Sequence, residues 1–248
     1  ETNYLINEDI NGKSSYNNLF TNNVSDFYLK VLFVVSNYMR EEMLKSLLNE
    51  IKNINIKNIE VDYIIFDDVS PYKINDSKVI VNEKHRGKEL YWKTFNDMFQ
   101  YCKKNVFDVY VFTPNDFLNY DFERMFNYCR KLYNYCYVFN IINDGREMSW
   151  NFIKPIKINN DVYQVFFTDC GFFCSRKALE ILNFTVDPIN SKRFQKKEIS
   201  SGVGQQITMK LVKFKVPIFM PVKSLAFHGN HESLMHPESR GKNKLVSI

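Results

Sequence analysis

The chain has 248 residues, enough to bury a substantial core, and its 45% hydrophobic and 25% charged content excludes a disordered or fibrous protein. Its net charge of +5 is a mild excess that suits an anionic ligand or a polyanionic partner without requiring either. No run approaches the ~18 apolar residues of a membrane span and no signal-peptide pattern opens the chain, so a cytoplasmic protein without membrane association is expected.

It begins at Glu1 rather than methionine, as a trimmed chain or one piece of a longer protein does. Asn, Lys, Ile, Phe and Tyr are abundant, a bias that reads as an AT-rich genome rather than a physical adaptation. The five cysteines (Cys102, Cys129, Cys136, Cys170 and Cys174) are odd in number and form no CxxC pair, which favours reduced thiols. No second Cys/His pair of zinc spacing accompanies Cys170 and Cys174.

Residues 1–27 are polar and weakly periodic, an extension packed on or near the domain that fills 28–248. Tyr28 to Val35 is the first strand. Ser36-Asn37 ends it, and Met43, Leu44, Leu47, Leu48 and Ile51 follow at helical spacing. Glu60 to Phe66 is the second strand, closing on Asp67-Asp68, and Lys78 to Val81 is a short third. Lys88 to Lys103 is an amphipathic helix in which Trp92 is a core residue. Val109 to Thr113 is an apolar, β-branched and aromatic run, the pattern of a strand buried on both faces, and it stops at Pro114-Asn115-Asp116. A helix from Asp121 to Tyr133, a strand from Cys136 to Ile142, a turn at Asn143 to Arg146 and a strand from Val162 to Phe167 come next. Helices then start at Ser175 and near Gly202. Pro217 and Pro221 bound a strand expected at the sheet's edge.

Strands alternating with helices predict an α/β domain with a mainly parallel central sheet flanked by helices. Three polar turns close three of its strands: Ser36-Asn37, Asp67-Asp68 and Asn115-Asp116. Ligands of open α/β sheets sit outside the strand carboxyl ends, so these turns mark the candidate site. Each also has a bland reading. Asn115 and Asp116 serve equally as a cap for the helix near Asp121, and Asp67 and Asp68 as turn formers beside Pro71.

The order of motifs resembles GT-A nucleotide-sugar glycosyltransferases of the family 2 type. Asp67-Asp68-Val69-Ser70 resembles that family's Asp-Asp-x-Ser, and Asn82 through Gly87 its Asn-x-Gly segment. Asn115-Asp116 falls at its Asp-x-Asp, with Pro114 in place of the first Asp. Cys170-Gly171-Phe172-Phe173-Cys174-Ser175-Arg176 resembles its Gly-rich acceptor-side segment, and Pro221 through His228 its terminal Pro-to-His segment. The match runs from about Tyr28 to His236. The helix opening at Ser201-Gly202 carries no carboxylate where the family places its base; Glu198 is the nearest before it.

The resemblance implies a Rossmann-like GT-A domain that transfers a sugar from a nucleotide diphosphate sugar, UDP favoured, to an acceptor hydroxyl. It implies Mn2+ or Mg2+ held by Asp116 with His228 and His231, since a divalent ion and few protein ligands neutralise a leaving diphosphate. Ser36, Asn37, Asp67, Arg86, Gly87 and Asn115 would line the nucleotide pocket. Asp169, Glu198 and Asp144 are the carboxylates from which an acceptor base is drawn. The segment from about 227 to 248 would close over the donor. Size, basicity and compositional bias resemble phage-encoded transferases that glycosylate hydroxymethylated pyrimidines in DNA, with Lys192, Arg193, Lys196 and Lys197 as phosphate contacts. Glycan or protein acceptors, and a nucleotide- or nucleic-acid-binding module without turnover, are the alternatives. Oligomeric state is not readable.

Overall fold

The computed structural model describes residues 16–21, 26–143, 154–190 and 202–229. Its centre is a nine-stranded sheet ordered β3-β2-β1-β4-β9-β6-β10-β8-β7. The strands are β1 (Leu29–Asn37), β2 (Ile59–Asp67), β3 (Val79–Val81), β4 (Val109–Pro114), β6 (Val138–Asn140), β7 (Ile156–Lys157), β8 (Val162–Val165), β9 (Phe172–Ser175) and β10 (Ile218–Pro221). β3, β2, β1 and β4 are mutually parallel, and β6 and β10 pair in parallel. β9 lies between β4 and β6, antiparallel to both, and β8 runs against β10 and β7.

The apolar runs are continuous because alternate residues feed two cores. Val31, Phe33 and Val35 of β1, with Val109 and Val111 of β4, pack on one face with α2 (Glu41–Lys52) and α4 (Phe122–Lys131). Leu32 and Val34, with Tyr110 and Phe112, pack on the other with α3 (Tyr91–Lys104), α5 (Arg176–Ile181) and α6 (Val203–Lys213). The helices are amphipathic as their spacing predicts. α2 buries Leu44, Leu47, Leu48 and Ile51, and α3 buries Phe95, Met98, Phe99 and Cys102. Trp92 is partly buried against the second core.

Three features depart from the sequence reading. β10 is interior, not an edge: its prolines fall where no ladder donor is required, and the Pro217 carbonyl accepts from the Val138 N–H at 3.1 Å. The segment Phe172 to Ser175, within the Gly-rich stretch and given no strand in the sequence reading, is a fully buried strand in the middle of the sheet. A short helix, α1 (Asn17–Thr21), anchors the N-terminal segment, with Phe20 buried edge-on against Tyr128 and Phe219. No disulfide joins the five cysteines, and no described helix is long and apolar enough to cross a membrane.

Candidate active site

The carboxyl ends of β1, β2 and β4 lie side by side, with Asn37 in register with Asp67 and Ser36 with Pro114. Asn37, Asp67 and Asn115 are 2%, 3% and 5% exposed, so their polar atoms must find partners within the protein. They find one another. Asn37 Nδ2 donates to Asp67 Oδ1 at 2.6 Å, and Asn115 Nδ2 donates to Asn37 Oδ1 at 2.6 Å. Asp67 also accepts from the Ser70 hydroxyl at 2.6 Å and the Ser70 N–H at 2.9 Å. Both Asp67 oxygens are thus committed inside the loop, the arrangement of a turn former.

Asp68 performs the matching task one loop further on. Its carboxylate accepts from the backbone N–H groups of Arg86 and Gly87, each at 2.8 Å, and from Asn82 Nδ2 at 2.8 Å. Gly87 has φ +53, and a Cβ there would come within 3.1 Å of His85 Nε2. The Arg86 guanidinium turns onto α3, where it pairs with Asp97 at 2.7 Å. His85 stacks on Tyr38, with centroids 4.3 Å apart and planes 26° apart, making a flat aromatic surface at the end of β1. Neither ring was singled out from sequence; an aromatic directly after Ser36-Asn37 was the available signal.

β4 passes through Asn115-Asp116 into β5 (Phe117–Leu118), which pairs antiparallel with β11 (Phe227–His228). This ribbon sets His228 beside Asp116: His228 Nε2 lies 3.5 Å from Asp116 Oδ2, and the Gly229 N–H donates to the Asp116 carbonyl at 2.9 Å. Asp116 is 5% exposed. Arg40 Nη1 contacts its Oδ2, whereas its buried Oδ1 has no hydrogen-bond partner among the described residues. An orphaned carboxylate oxygen in the interior is costly unless something else meets it. Asp116 and His228 supply a hard oxygen and an imidazole nitrogen 3.5 Å apart, donor types that a divalent cation accepts. No group of three or more His, Cys, Asp or Glu gathers around a common point among the described residues, so ligands beyond Asp116 and His228 would come from elsewhere. Phe117 steadies the ribbon. Its ring meets His228 edge-on at 5.4 Å and leaves room only for glycine at 171, where a Cβ would lie 2.3 Å from Phe117 Cε2.

Opposite this point stands the loop before β9. Asp169 is exposed, and its Oδ1 accepts from the Cys170 N–H at 2.9 Å. The Thr168 N–H donates to Thr208 Oγ1 on α6 at 3.0 Å, and the Thr168 hydroxyl donates to Asn140 Oδ1 on β6 at 2.6 Å. Gly204, in the first turn of α6, packs on this backbone: a Cβ there would sit 2.6 Å from the Thr168 carbonyl and 3.3 Å from Asp169 Oδ1. Asp169 therefore lies against the start of the helix that lacks a carboxylate of its own. Tyr91, partly buried at the start of α3, lies near both Ser36 and the Asp169 loop. Its hydroxyl is 3.2 Å from Ser36 Oγ. Burial above all pushes its phenol well up, and nearby Cys170, Asp169 and Asp116 add to the effect. Tyr91 was passed over in sequence because its helix is amphipathic and a tyrosine there reads as core. Asp144, Glu198, His231 and the basic run Lys192 to Lys197 lie outside the described residues.

No protein-family model and no curated protein matches the sequence. Solved structures do. S. aureus TarS 1-349 in complex with UDP-GlcNAc aligns with a TM-score of 0.54 at 16% identity, over 85% of this chain and 61% of that one. The structure of the same TarS segment described without that ligand gives 0.53 at 16% identity, over 82% and 61%. GalNAc-T7 with UDP, GalNAc and Mn2+ gives 0.50 at 12% identity, over 79% and 43%. This chain thus spans 61% of the TarS segment. At such identities the likeness is one of fold, and the fold is that of GT-A glycosyltransferases.

Proposed function

We propose that this chain is a glycosyltransferase that moves a sugar from a nucleotide diphosphate sugar to an acceptor hydroxyl. The observation that carries the reading is Asp116. It is a buried carboxylate just beyond β4, with one oxygen lacking a hydrogen-bond partner among the described residues and an imidazole 3.5 Å from the other. UDP is favoured as the nucleotide, in keeping with the ligands of the similar TarS and GalNAc-T7 structures.

In this reading Asp116 and His228 hold Mn2+ or Mg2+, with His231 as a further ligand. The ion, when bound, offsets the negative charge of the departing diphosphate. The chain's own residues do the rest. The Asn37, Asp67 and Asn115 network keeps the nucleotide-facing loops rigid, so little ordering cost remains to be met on binding. Tyr38 and His85 offer a face for the base, and Ser36 and Tyr91 hydroxyls face the sugar. Asp169 accepts the acceptor hydroxyl's proton while that oxygen bonds to the anomeric carbon and the bond to the diphosphate oxygen breaks. Glu198 and Asp144 are retained as the other carboxylates able to serve. The catalytic domain is residues 28–248, with the segment from about 227 to 248 closing over the donor. A glycan, a protein or a hydroxymethylated pyrimidine in DNA would each supply the hydroxyl.

The test is calorimetric titration of UDP and UDP-sugars with Mn2+ and again in EDTA, paired with donor hydrolysis. UDP binding that Mn2+ strengthens and slow hydrolysis that requires Mn2+ in the wild type, with both the strengthening and the hydrolysis lost in Asp116→Asn, support the reading. Tight metal-independent binding with no turnover in any condition assigns the chain to a binding module on the same fold.

A further inference from the structure

Arg40 has a placement that the function proposed above leaves unused. It precedes the first turn of α2 with φ 58 and ψ 52, and Met39 before it has φ 56. Two successive left-handed L-residues are sterically disfavoured and persist only where their surroundings hold them. The surroundings here are specific. The Met39 N–H donates to Ser70 Oγ at 2.9 Å. The Met39 carbonyl accepts from the Tyr72 hydroxyl at 2.7 Å and from Asn115 Nδ2 at 2.9 Å. Val69, beside Ser70, is left-handed as well, with φ 62. Three loops therefore combine to aim one guanidinium from the end of β1 at the carboxylate beyond β4.

The pair they form is not that of a closed structural ion pair. A guanidinium can engage both oxygens of a carboxylate with parallel N–H groups. Here Arg40 Nη1 meets Oδ2, and Oδ1, in a side chain more than nine-tenths buried, has no hydrogen-bond partner among the described residues. Glu41 and Glu42, the acidic residues of the same helical turn, are engaged by Lys45, each at 2.9 Å.

We propose that Arg40 is a diphosphate-binding cation, held on Asp116 until a divalent ion takes that carboxylate and releases the guanidinium to the donor phosphates. The proposal rests on the nucleotide-diphosphate reading above and adds a residue and a coupling to it. Metal and diphosphate each draw one member of the pair away from the other, so each strengthens binding of the other, by the same factor in both directions.

Mn2+ binding followed by electron paramagnetic resonance, and UDP binding followed by calorimetry, test this without turnover. Arg40→Gln should bind Mn2+ alone about tenfold more tightly than wild type, because Asp116 is no longer occupied. It should bind UDP in EDTA about tenfold more weakly. Arg40→Lys, which keeps the charge but not the fork, should recover part of the UDP affinity. Asp116→Asn, which weakens the hold on Arg40, should bind UDP in EDTA more tightly than wild type, and it keeps the test open should Arg40→Gln unfold. Unchanged affinities in these variants, with normal Mn2+ and UDP binding by the wild type, would overturn the role of Arg40 alone. A wild type that binds neither UDP nor Mn2+ would overturn the nucleotide reading and this one with it.

Discussion

Replacing Gly204 with alanine sets two effects of known size against each other. Alanine in a helix is favoured over glycine by up to ~1 kcal/mol, and less in the first turn, where Gly204 stands. Against this, the added Cβ would lie 2.6 Å from the Thr168 carbonyl oxygen and 3.0 Å from Asp169 Cα. Comfortable contact needs roughly 3.5 Å, so the two backbones must separate by several tenths of an ångström. The Thr168 backbone cannot yield freely, being tied to Thr208 on α6 and to Asn140 on β6. Overpacking of this kind costs about 1–3 kcal/mol, so the steric term wins and a net loss of about 1–2 kcal/mol is expected. The shift falls on Asp169, whereas the hydrogen-bonded network of Asn37, Asp67 and Asn115 lies on other strand ends. Urea unfolding should register the stability loss. Transfer kinetics should show kcat reduced by tenfold or more, since small misplacements of a reacting group are expensive, with UDP affinity by calorimetry unchanged. A variant as stable as wild type with an undiminished kcat would refute both the packing argument and the assignment of Asp169.

Three further outcomes follow from described contacts. Asp67→Ala leaves Asn37 Nδ2 and the Ser70 donors without their buried acceptor and should cost about 2–4 kcal/mol in urea unfolding; a change below ~0.5 kcal/mol would show that the network is not structural. Burial pushes the Cys129 and Cys136 thiols up to about 12, whereas unfolded thiols ionise near ~8.5. The unfolded state therefore binds fewer protons above that pH, and stability should fall as pH rises from ~8.5 toward 12, by about 1.4 kcal/mol per pH unit for each thiol; equal stability in reducing buffer at pH 8 and pH 10 would contradict the burial argument. Phe20→Ala should lose about 3–5 kcal/mol, because the ring is buried among Tyr128, Phe139 and Phe219, and a near-neutral result would detach α1 from the core.

The first half of the fold was legible because its strands and helices are long and periodic. The spacing of Leu44, Leu47, Leu48 and Ile51 and the unbroken run from Val109 to Phe112 left little choice of element. The nearness of the turns at Ser36-Asn37, Asp67-Asp68 and Asn115-Asp116 followed from parallel pairing. The second half depends on two- to four-residue strands, too short to show a period. Phe172 to Ser175 is only four residues long and follows Gly171, a glycine that the Phe117 ring requires. Arg40 was invisible for another reason. Met39-Arg40-Glu41-Glu42 looks like an ordinary helix start, and its left-handed backbone is fixed by Ser70, Tyr72 and Asn115, at least 30 positions away. Asp67 stands in its strand-end turn, but sequence has no means of telling a carboxylate that faces a ligand from one that fastens its own turn.

The reversed direction of β9 has a consequence for how such a chain can diversify. Because β9 runs against β4, Phe172 at its start pairs with Phe112 near the end of β4, and the chain enters the site there instead of leaving it. The residues that gather around the strand ends before it, from Ser36 to Leu118, form one nearly contiguous block. The loop carrying Asp169 arrives from a separate excursion through β6, β7 and β8. An exchange or lengthening of that excursion would leave the earlier block's ladder pairings intact. The two sides are therefore separable: exchanging loops between β6 and β9 would alter the Asp169 side and leave the block from Ser36 to Leu118 as it is.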